Sequence, residues 1–292
     1  MPNLPKKAVF PVGGLGSRFL PVTKSVPKEM LPVVDKPLIQ YAVEEAKNAG
    51  VEHFIFVTGR GKNAIEDHFD VVSELQHSLR SRGKVAEIEV ADGWLPESGE
   101  VSYTRQREPL GLGHAVWCAR HLVGNEPFIV ILPDDFIVGA PSCLQQMISS
   151  YASVGGNVLA IMEVPLEDIQ RYGAIVPGAA DERLVEVKGL VEKPSPNLAP
   201  SRYAVIGRYI LLPEVFEYLE RHELGASGEI QITDALTHLV GKAPFHGYLF
   251  EGERFDCGDR IGYLKANLSV ALNRTDVGPE LASFVRSLSK RL

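Results

Sequence analysis

The segment VFPVGGLGSRFLPVTKSVPKEMLPV, Val9 to Val33, limits the fold more than any other stretch. An apolar run from Lys7 to Val12 stops at Gly13, Gly14 and Gly16, the pattern of a buried parallel strand delivering the chain into a loop. A strand buried on both faces needs neighbours and covering helices, and the next residues supply them. Leu38 to Asn48 carries apolar residues at helical spacing and stops at Gly50, a C-cap residue. Phe54 to Val57 predicts a strand, Asn63 to Phe69 and Val71 to Arg82 predict helices, and Val101 to Gln106 alternates as a strand does. An amphipathic helix over His114 to Val123 then precedes the apolar strand Phe128 to Leu132, which closes on Pro133, Asp134 and Asp135. Strands alternating with helices predict an α/β fold with a Rossmann-like, mixed but mostly parallel sheet flanked by helices.

After a helix over Ser142 to Ala152 the pattern loosens. Asn157 to Val164 and Tyr203 to Leu212 read as strands, with a hairpin-rich stretch, Gly173 to Val191, between them. Glu214 to Arg221, Ile232 to Val240, Gly262 to Leu272 and Glu280 to Arg291 read as helices, the last free to dock on a partner subunit. Pro194-Ser195-Pro196 is too short for a linker, so a single domain over 1–292 is expected. Its parts are residues 6–140, a smaller β-rich part over 155–260, and C-terminal helices over 261–292.

Composition narrows the function. A net charge of −7 argues against the broad cationic footprint that nucleic acids require, so any bound anion must be met locally. No apolar run approaches the roughly 18 residues of a membrane span. The start of the chain has no signal-peptide core, and Cys118, Cys143 and Cys257 lack metal-type spacing, so a cytoplasmic protein with reduced thiols is expected, without a nucleic-acid or membrane partner. The eight histidines form no H-x-x-x-H or H-E-x-x-H pair, and no nucleophile elbow appears.

Glycines after a strand let backbone N–H groups approach a phosphate or a nucleobase, although a tight turn has the same look. The dinucleotide fingerprint fails because Phe19 stands where its third glycine belongs, and a Walker loop fails because Asn63 follows Gly61-Lys62. Arg18, Lys24 and Lys28 nevertheless fall within eleven residues of a segment stiffened by Pro21, Pro27 and Pro32. A stiff cationic loop suits a polyphosphate. LPDD at the end of the most apolar strand offers hard oxygen ligands of the kind Mg²⁺ takes, or else a cap or turn.

GGLGSRFLPVTKSVPKEMLPV resembles the signature of the sugar-phosphate nucleotidylyltransferases, and Lys24 with PKEMLP points to the bacterial uridylyl-transferring branch. Further blocks resemble that family in order: Gln106 with LGLGHAV, LPDDF, YGAI, VEKP, VIGRYIL, GEIQITDAL and FDCGD, together covering about Lys7 to Asn267. Two departures are mild. The family more often has Ala where Gly13 stands and Thr where Ser17 stands.

The resemblance implies a nucleotide-diphospho-sugar transferase-like fold, with the β-rich part binding sugar. It implies that UTP and glucose 1-phosphate give UDP-glucose and pyrophosphate, with Mg²⁺ as cofactor, in a homo-oligomer, dimer or tetramer. Carried over residue by residue, it assigns Arg18 and Lys28 to the departing pyrophosphate and Asp134 to the metal. Asp256 is a second metal candidate. Val12, Gly13, Gly14, Gln106 and Gly111 inherit the nucleotide contacts, with Glu29 close to the same pocket. Gly173, Glu192, Lys193 and Gly207 inherit the sugar side. A thymidylyltransferase, or a silent paralogue that binds sugar nucleotides and regulates a true enzyme, would carry the same loop.

Overall fold

The computed structural model describes residues 2–225 and 228–291. Nine strands form the main sheet: β1 (Lys7–Pro11), β2 (His53–Thr58), β3 (Val101–Arg105), β4 (Phe128–Ile131), β5 (Asn157–Glu163), β6 (Gly173–Asp181), β7 (Leu184–Glu192), β8 (Tyr203–Leu211) and β9 (Phe245–Leu249). Their order across the sheet is β3-β2-β1-β4-β8-β5-β9-β7-β6. The first four strands are all parallel. From β8 onward the pairings are antiparallel except between β5 and β9. The sheet is therefore mixed, with helices on both faces as expected, and its parallel half is the half that begins with the glycine loop.

Side-chain alternation along β1 shows why both faces need cover. Ala8 and Phe10 enter one core with Ile39, Val43 and Ala46 of helix α1 (Leu38–Asn48). Val9 enters a second core with Ala115, Val116 and Ala119. Helix α2 (Leu112–Cys118) supplies two of these, and the chain turns once more over Arg120–Val123. Helix α3 (Cys143–Val154), opened by a capping box of Ser142 and Gln145, covers the first face. The α4 (Ile232–Thr237) residues Ile232, Ala235 and Leu236 cover the second.

Several elements lie outside the sequence expectation. Helix Val85–Asp92 forms although Val85 and Val90 stay 67% and 78% exposed, so it has no apolar stripe to betray it. Short strands Asp135–Val138 and Glu253–Asp256 pair antiparallel as a separate ribbon, and β9 enters the main sheet. Helices α5 (Arg260–Asn273) and α6 (Gly278–Ser289) end the chain. No helix among the described residues is long and apolar enough to cross a membrane.

One buried ion pair ties these layers together. Arg208 of β8 is 2% exposed and donates to Glu45 of α1 through Nη2 at 2.6 Å and Nε at 3.2 Å. Its Nη1 donates to the carbonyl oxygens of Leu132, at 3.2 Å, and of Asp135. Glu45 also accepts the Leu144 N–H at the start of α3 at 3.1 Å. Breaking a buried pair leaves an uncompensated charge, which costs about 3–5 kcal/mol. Glu45→Ala is therefore expected to lower stability by that amount, read as a fall in the thermal midpoint; an unchanged midpoint would show that the pair contributes little.

Candidate active site

Four strand ends meet at one edge. β1 hands the chain to Gly13 and Gly14, β2 ends at Thr58, β3 is followed by Gln106, and β4 by Leu132 and Asp134. Because these strands are parallel, all four carboxyl ends lie on the same side, and strand order reverses between β1 and β4. That is where open α/β sheets form a ligand crevice. A cleft of about 470 Å³ lies there, lined by Gly13, Gly14, Lys28, Gln106, Gly111 and Asp134 among others.

The long loop becomes three single turns, Ser17–Phe19, Val22–Lys24 and Lys28–Met30. Gly16 stands at φ 65°, a left-handed conformation that favours glycine. A β-carbon there would sit 3.1 Å from Thr23 Cγ2 and 3.3 Å from Lys28 Cβ. Glycine thus lets the Lys28 turn fold back beneath the loop, where Thr23 Oγ1 donates to the Gly16 carbonyl at 2.7 Å. As a result Lys28 Nζ reaches Asp134 Oδ2 at 2.5 Å, across 106 residues of chain. Lys24 stays exposed outside the cleft.

Gly258 marks the point where the predicted phosphate and metal residues converge. A β-carbon there would lie 2.9 Å from Asp256 Oδ1, 3.2 Å from Asp134 Oδ2 and 3.5 Å from Arg18 Nη1. Arg18 Nη1 donates to the Gly258 carbonyl at 3.4 Å, and Arg260 Nε donates to the Arg18 carbonyl at 3.1 Å. Asp256 is anchored on both oxygens, by the Gly258 N–H at 3.0 Å and by Arg171 at 2.7 Å.

The electrostatics favour charged groups. Burial opposes the Lys28 ammonium, but the Asp134 carboxylate, with Glu29, outweighs it and lifts the Lys28 pKa above its ordinary value. Burial likewise opposes ionised Asp134, and Lys28 with Arg18 overrides it and holds the carboxyl below the usual range. Glu29 behaves differently. It is 1% exposed, burial pushes its carboxyl up despite Lys28 and Lys62, and only one oxygen is bonded, to Lys62 Nζ at 2.9 Å.

Among the predicted nucleotide residues, Gln106 Nε2 donates to the Gly111 carbonyl at 3.0 Å and lies 3.1 Å from His114 Nδ1. Gly111 precedes α2 at φ 112°, and a β-carbon there would fall 2.7 Å from the Ile230 carbonyl. Val12 does not line this cleft: its side chain is buried and its N–H donates to the Val57 carbonyl at 3.0 Å.

Two of the predicted sugar residues, Glu192 and Lys193, line a second hollow of about 600 Å³ together with Gln231, Asp234 and His238 among others. Thr233 Oγ1 donates to Glu192 Oε2 at 2.7 Å, and Lys193 Nζ stands 3.3 Å from Glu192 Oε1. Lys193 adopts φ 45°, so the pair escapes the opposed faces of a regular strand. A β-carbon on Gly173 would lie 3.3 Å from Glu192 Oε2. Gly207 stands apart, its N–H donating to Asp135 Oδ2 at 3.0 Å. The residues from Glu229 to Asp234 join the two hollows, Glu229 lining the first and Asp234 the second.

Several contributors escaped the sequence reading. Asp135 takes the Arg254 guanidinium, with Nε at 2.7 Å, and Arg254 Nη1 donates to the Tyr172 hydroxyl at 2.7 Å. Lys62 and Thr233 support Glu29 and Glu192. Arg208 and Thr233 lie inside the quoted blocks VIGRYIL and GEIQITDAL, so their position was visible but their partners were not. Arg254 and Lys62 carried no local signal.

The model of the nucleotidyl transferase family matches residues 7–272. A relative from Komagataeibacter xylinus named UTP–glucose-1-phosphate uridylyltransferase is 49% identical over 260 residues, 89% of this chain and 92% of its own. A crystal structure of a UDP-glucose pyrophosphorylase complexed with UDP-glucose aligns with a TM-score of 0.82 and 45% identity, covering 93% of this chain and all of the other. A UTP-bound UGPase from Acinetobacter baumannii aligns with a TM-score of 0.90 and 39% identity, over 98% of this chain and all of the other. With a glycine-lined cleft at the strand-order reversal and a match running nearly end to end, this chain belongs to the nucleotidyl transferase family.

Proposed function

We propose that this chain transfers a uridylyl group from UTP to glucose 1-phosphate, giving UDP-glucose and pyrophosphate, by in-line attack of the sugar phosphate oxygen on the α-phosphorus. The observation that carries the reading is the Lys28–Asp134 pair, held at 2.5 Å beside the glycine loop. Relatives named for this reaction, and structures holding UTP or UDP-glucose, support it.

Two polyanions must meet, so their repulsion has to be cancelled before attack geometry is populated. Lys28 stays protonated and already stands at the cleft, where a phosphate oxygen can take over the place of the Asp134 carboxylate. Arg18, an exposed guanidinium on the same loop, receives the departing pyrophosphate with it. Gly13, Gly14, Gln106 and Gly111 shape the base pocket, with the Val12 backbone and Glu29 behind them. Glu192 accepts from sugar hydroxyls, Lys193 meets the sugar phosphate, Gly173 keeps that side open, and Gly207 serves it indirectly by making room for the Asp135 turn.

Asp134 and Asp256 bring hard carboxylate oxygens around Gly258, a cradle that any β-carbon would fill, and this donor set suits Mg²⁺. Bound there, the ion would supply positive charge against the phosphates. Exposed apolar side chains on α5 and α6, Ile261 at 62%, Leu264 at 60% and Phe284 at 59%, fit a homo-oligomer, dimer or tetramer. One domain carrying both hollows, in a cytoplasmic enzyme, completes the reading.

Mixing the protein with UTP, glucose 1-phosphate and Mg²⁺ is expected to release pyrophosphate, EDTA to stop it, and dTTP to serve less well. No pyrophosphate from any nucleotide would refute the reading. Lys28→Ala is expected to lower kcat at saturating substrates by about 10²–10⁴, the scale of a lost electrostatic contact in the transition state. Near-normal turnover would remove Lys28 from its role.

The Asp134 shift also sets a pH dependence. A carboxyl held below its ordinary 3.8 stabilises the fold above that pH and loses the contribution as pH falls through the lower folded value. The stability gap between the wild type and Asp134→Asn, read by thermal unfolding, is therefore expected to be constant above pH 4 and to close in stronger acid. A gap that persists unchanged there would contradict an ionised Asp134.

A further inference from the structure

We propose that His114 is a positioning residue that fixes the orientation of the Gln106 amide and thereby makes the base pocket prefer a pyrimidine with a donor at N3 over one with an acceptor there. This rests on the base pocket proposed above. An amide has one end that only donates and one that only accepts, so which end faces the ligand is a choice the surroundings make. Here the Gly111 carbonyl, which only accepts, stands 3.0 Å from Gln106 Nε2 and engages one N–H, so the His114 ring decides whether the other is satisfied. The same Nε2 lies 3.1 Å from His114 Nδ1, which accepts its second N–H when Nδ1 carries the lone pair. With both N–H groups turned inward, Oε1 is left on the cleft side, 3.1 Å from where a β-carbon on Gly13 would begin. Gly13, Gln106 and Gly111 all line the cleft.

For His114 to hold the amide this way, Nδ1 must keep its lone pair and the ring proton must sit on Nε2. The Nε2 contact allows this: His114 Nε2 lies 3.9 Å from the Cys118 sulfur, which takes either role, and the ring is 8% exposed between Trp117 and His222, with centroids 5.8 and 5.5 Å away. Burial and then His222 hold the ring's pKa below its ordinary value, while the Glu108 carbonyl and carboxylate act in the opposite sense. The neutral imidazole therefore dominates at pH 7. Protonation would place an N–H on Nδ1 against the amide N–H and favour the reversed amide, which the Gly111 carbonyl would then oppose.

Uracil carries N–H at position 3, which an outward Oε1 accepts; cytosine carries a bare nitrogen there, which the same oxygen repels. The expected signature is a change in the ratio of kcat/KM for UTP to that for CTP, in which pH effects common to both triphosphates cancel. His114→Ala is expected to lower this ratio by about 3- to 10-fold, the worth of one neutral hydrogen bond, with the loss lying in KM for UTP. His114→Asn can place a non-titrating acceptor near Nδ1 and is expected to stay within about 2-fold of the wild type. Lowering the pH below 6 is expected to reduce the ratio in the wild type and leave it flat in His114→Asn.

An unaltered ratio in His114→Ala, or a pH-flat wild type, overturns the inference. So does a folded His114→Asn that behaves like His114→Ala. If the wild type turns over neither nucleotide, the proposed reaction fails instead, a result these ratios do not imitate.

Discussion

A guanidinium almost without access to water is the constraint on which the rest of this structure depends. Arg208 enters the interior on β8, and its charge is tolerable only because Glu45 on α1 lies 2.6 Å away. The remaining donor is spent on the carbonyls of Leu132 and Asp135, which bracket Asp134. One buried group thus satisfies a charge, a helix and the turn that carries the carboxylate on the cleft. A turn held at both ends by the interior presents Asp134 with little freedom, which is the preorganisation that electrostatic catalysis needs.

The parallel half of the fold was legible in the sequence for a physical reason. β1 and β4 are apolar on both faces, so their hydrophobic runs are continuous and short, and glycine or Pro-Asp stops them. α1 was equally plain, its apolar residues at helical spacing before Gly50. The far half was harder. FHGYL in β9 alternates weakly and acquires its place from β5 and β7, partners tens of residues away. Helix Val85–Asp92 buries none of its residues completely, so no periodicity announced it. In the site, Lys28, Asp134, Gln106 and Glu192 were visible because motifs carry them. Arg254 and Lys62 were not, since their roles exist only as cross-chain pairs, with Asp135 and Glu29.

The adjacent aspartates show how one turn serves two hollows. Asp134 faces the glycine loop through Lys28, whereas Asp135 faces the other way, accepting the Gly207 N–H and the Arg254 guanidinium. Arg254 continues to the Tyr172 hydroxyl, next to Gly173, where a β-carbon would lie 3.3 Å from Glu192 Oε2. The Lys28 side of the cleft and the Tyr172–Gly173 segment are therefore linked through two consecutive residues on a turn already fixed by Arg208. The short ribbon Asp135–Val138 with Glu253–Asp256 makes this possible, because it pairs Asp135 directly with Asp256 in register.

Such a linkage explains why the cleft needs little covalent chemistry of its own. Phosphoryl-type transfer is governed by charge and position, and both are set here before a ligand arrives. Lys28 and Asp134 neutralise each other across the empty span between loop and turn, so neither charge is left buried alone. On the proposed reading, a polyanion that takes Lys28 would free Asp134, beside Asp256, to hold a divalent cation. On that same reading nucleotide and metal would support each other's binding, because each removes the competitor that the other must displace.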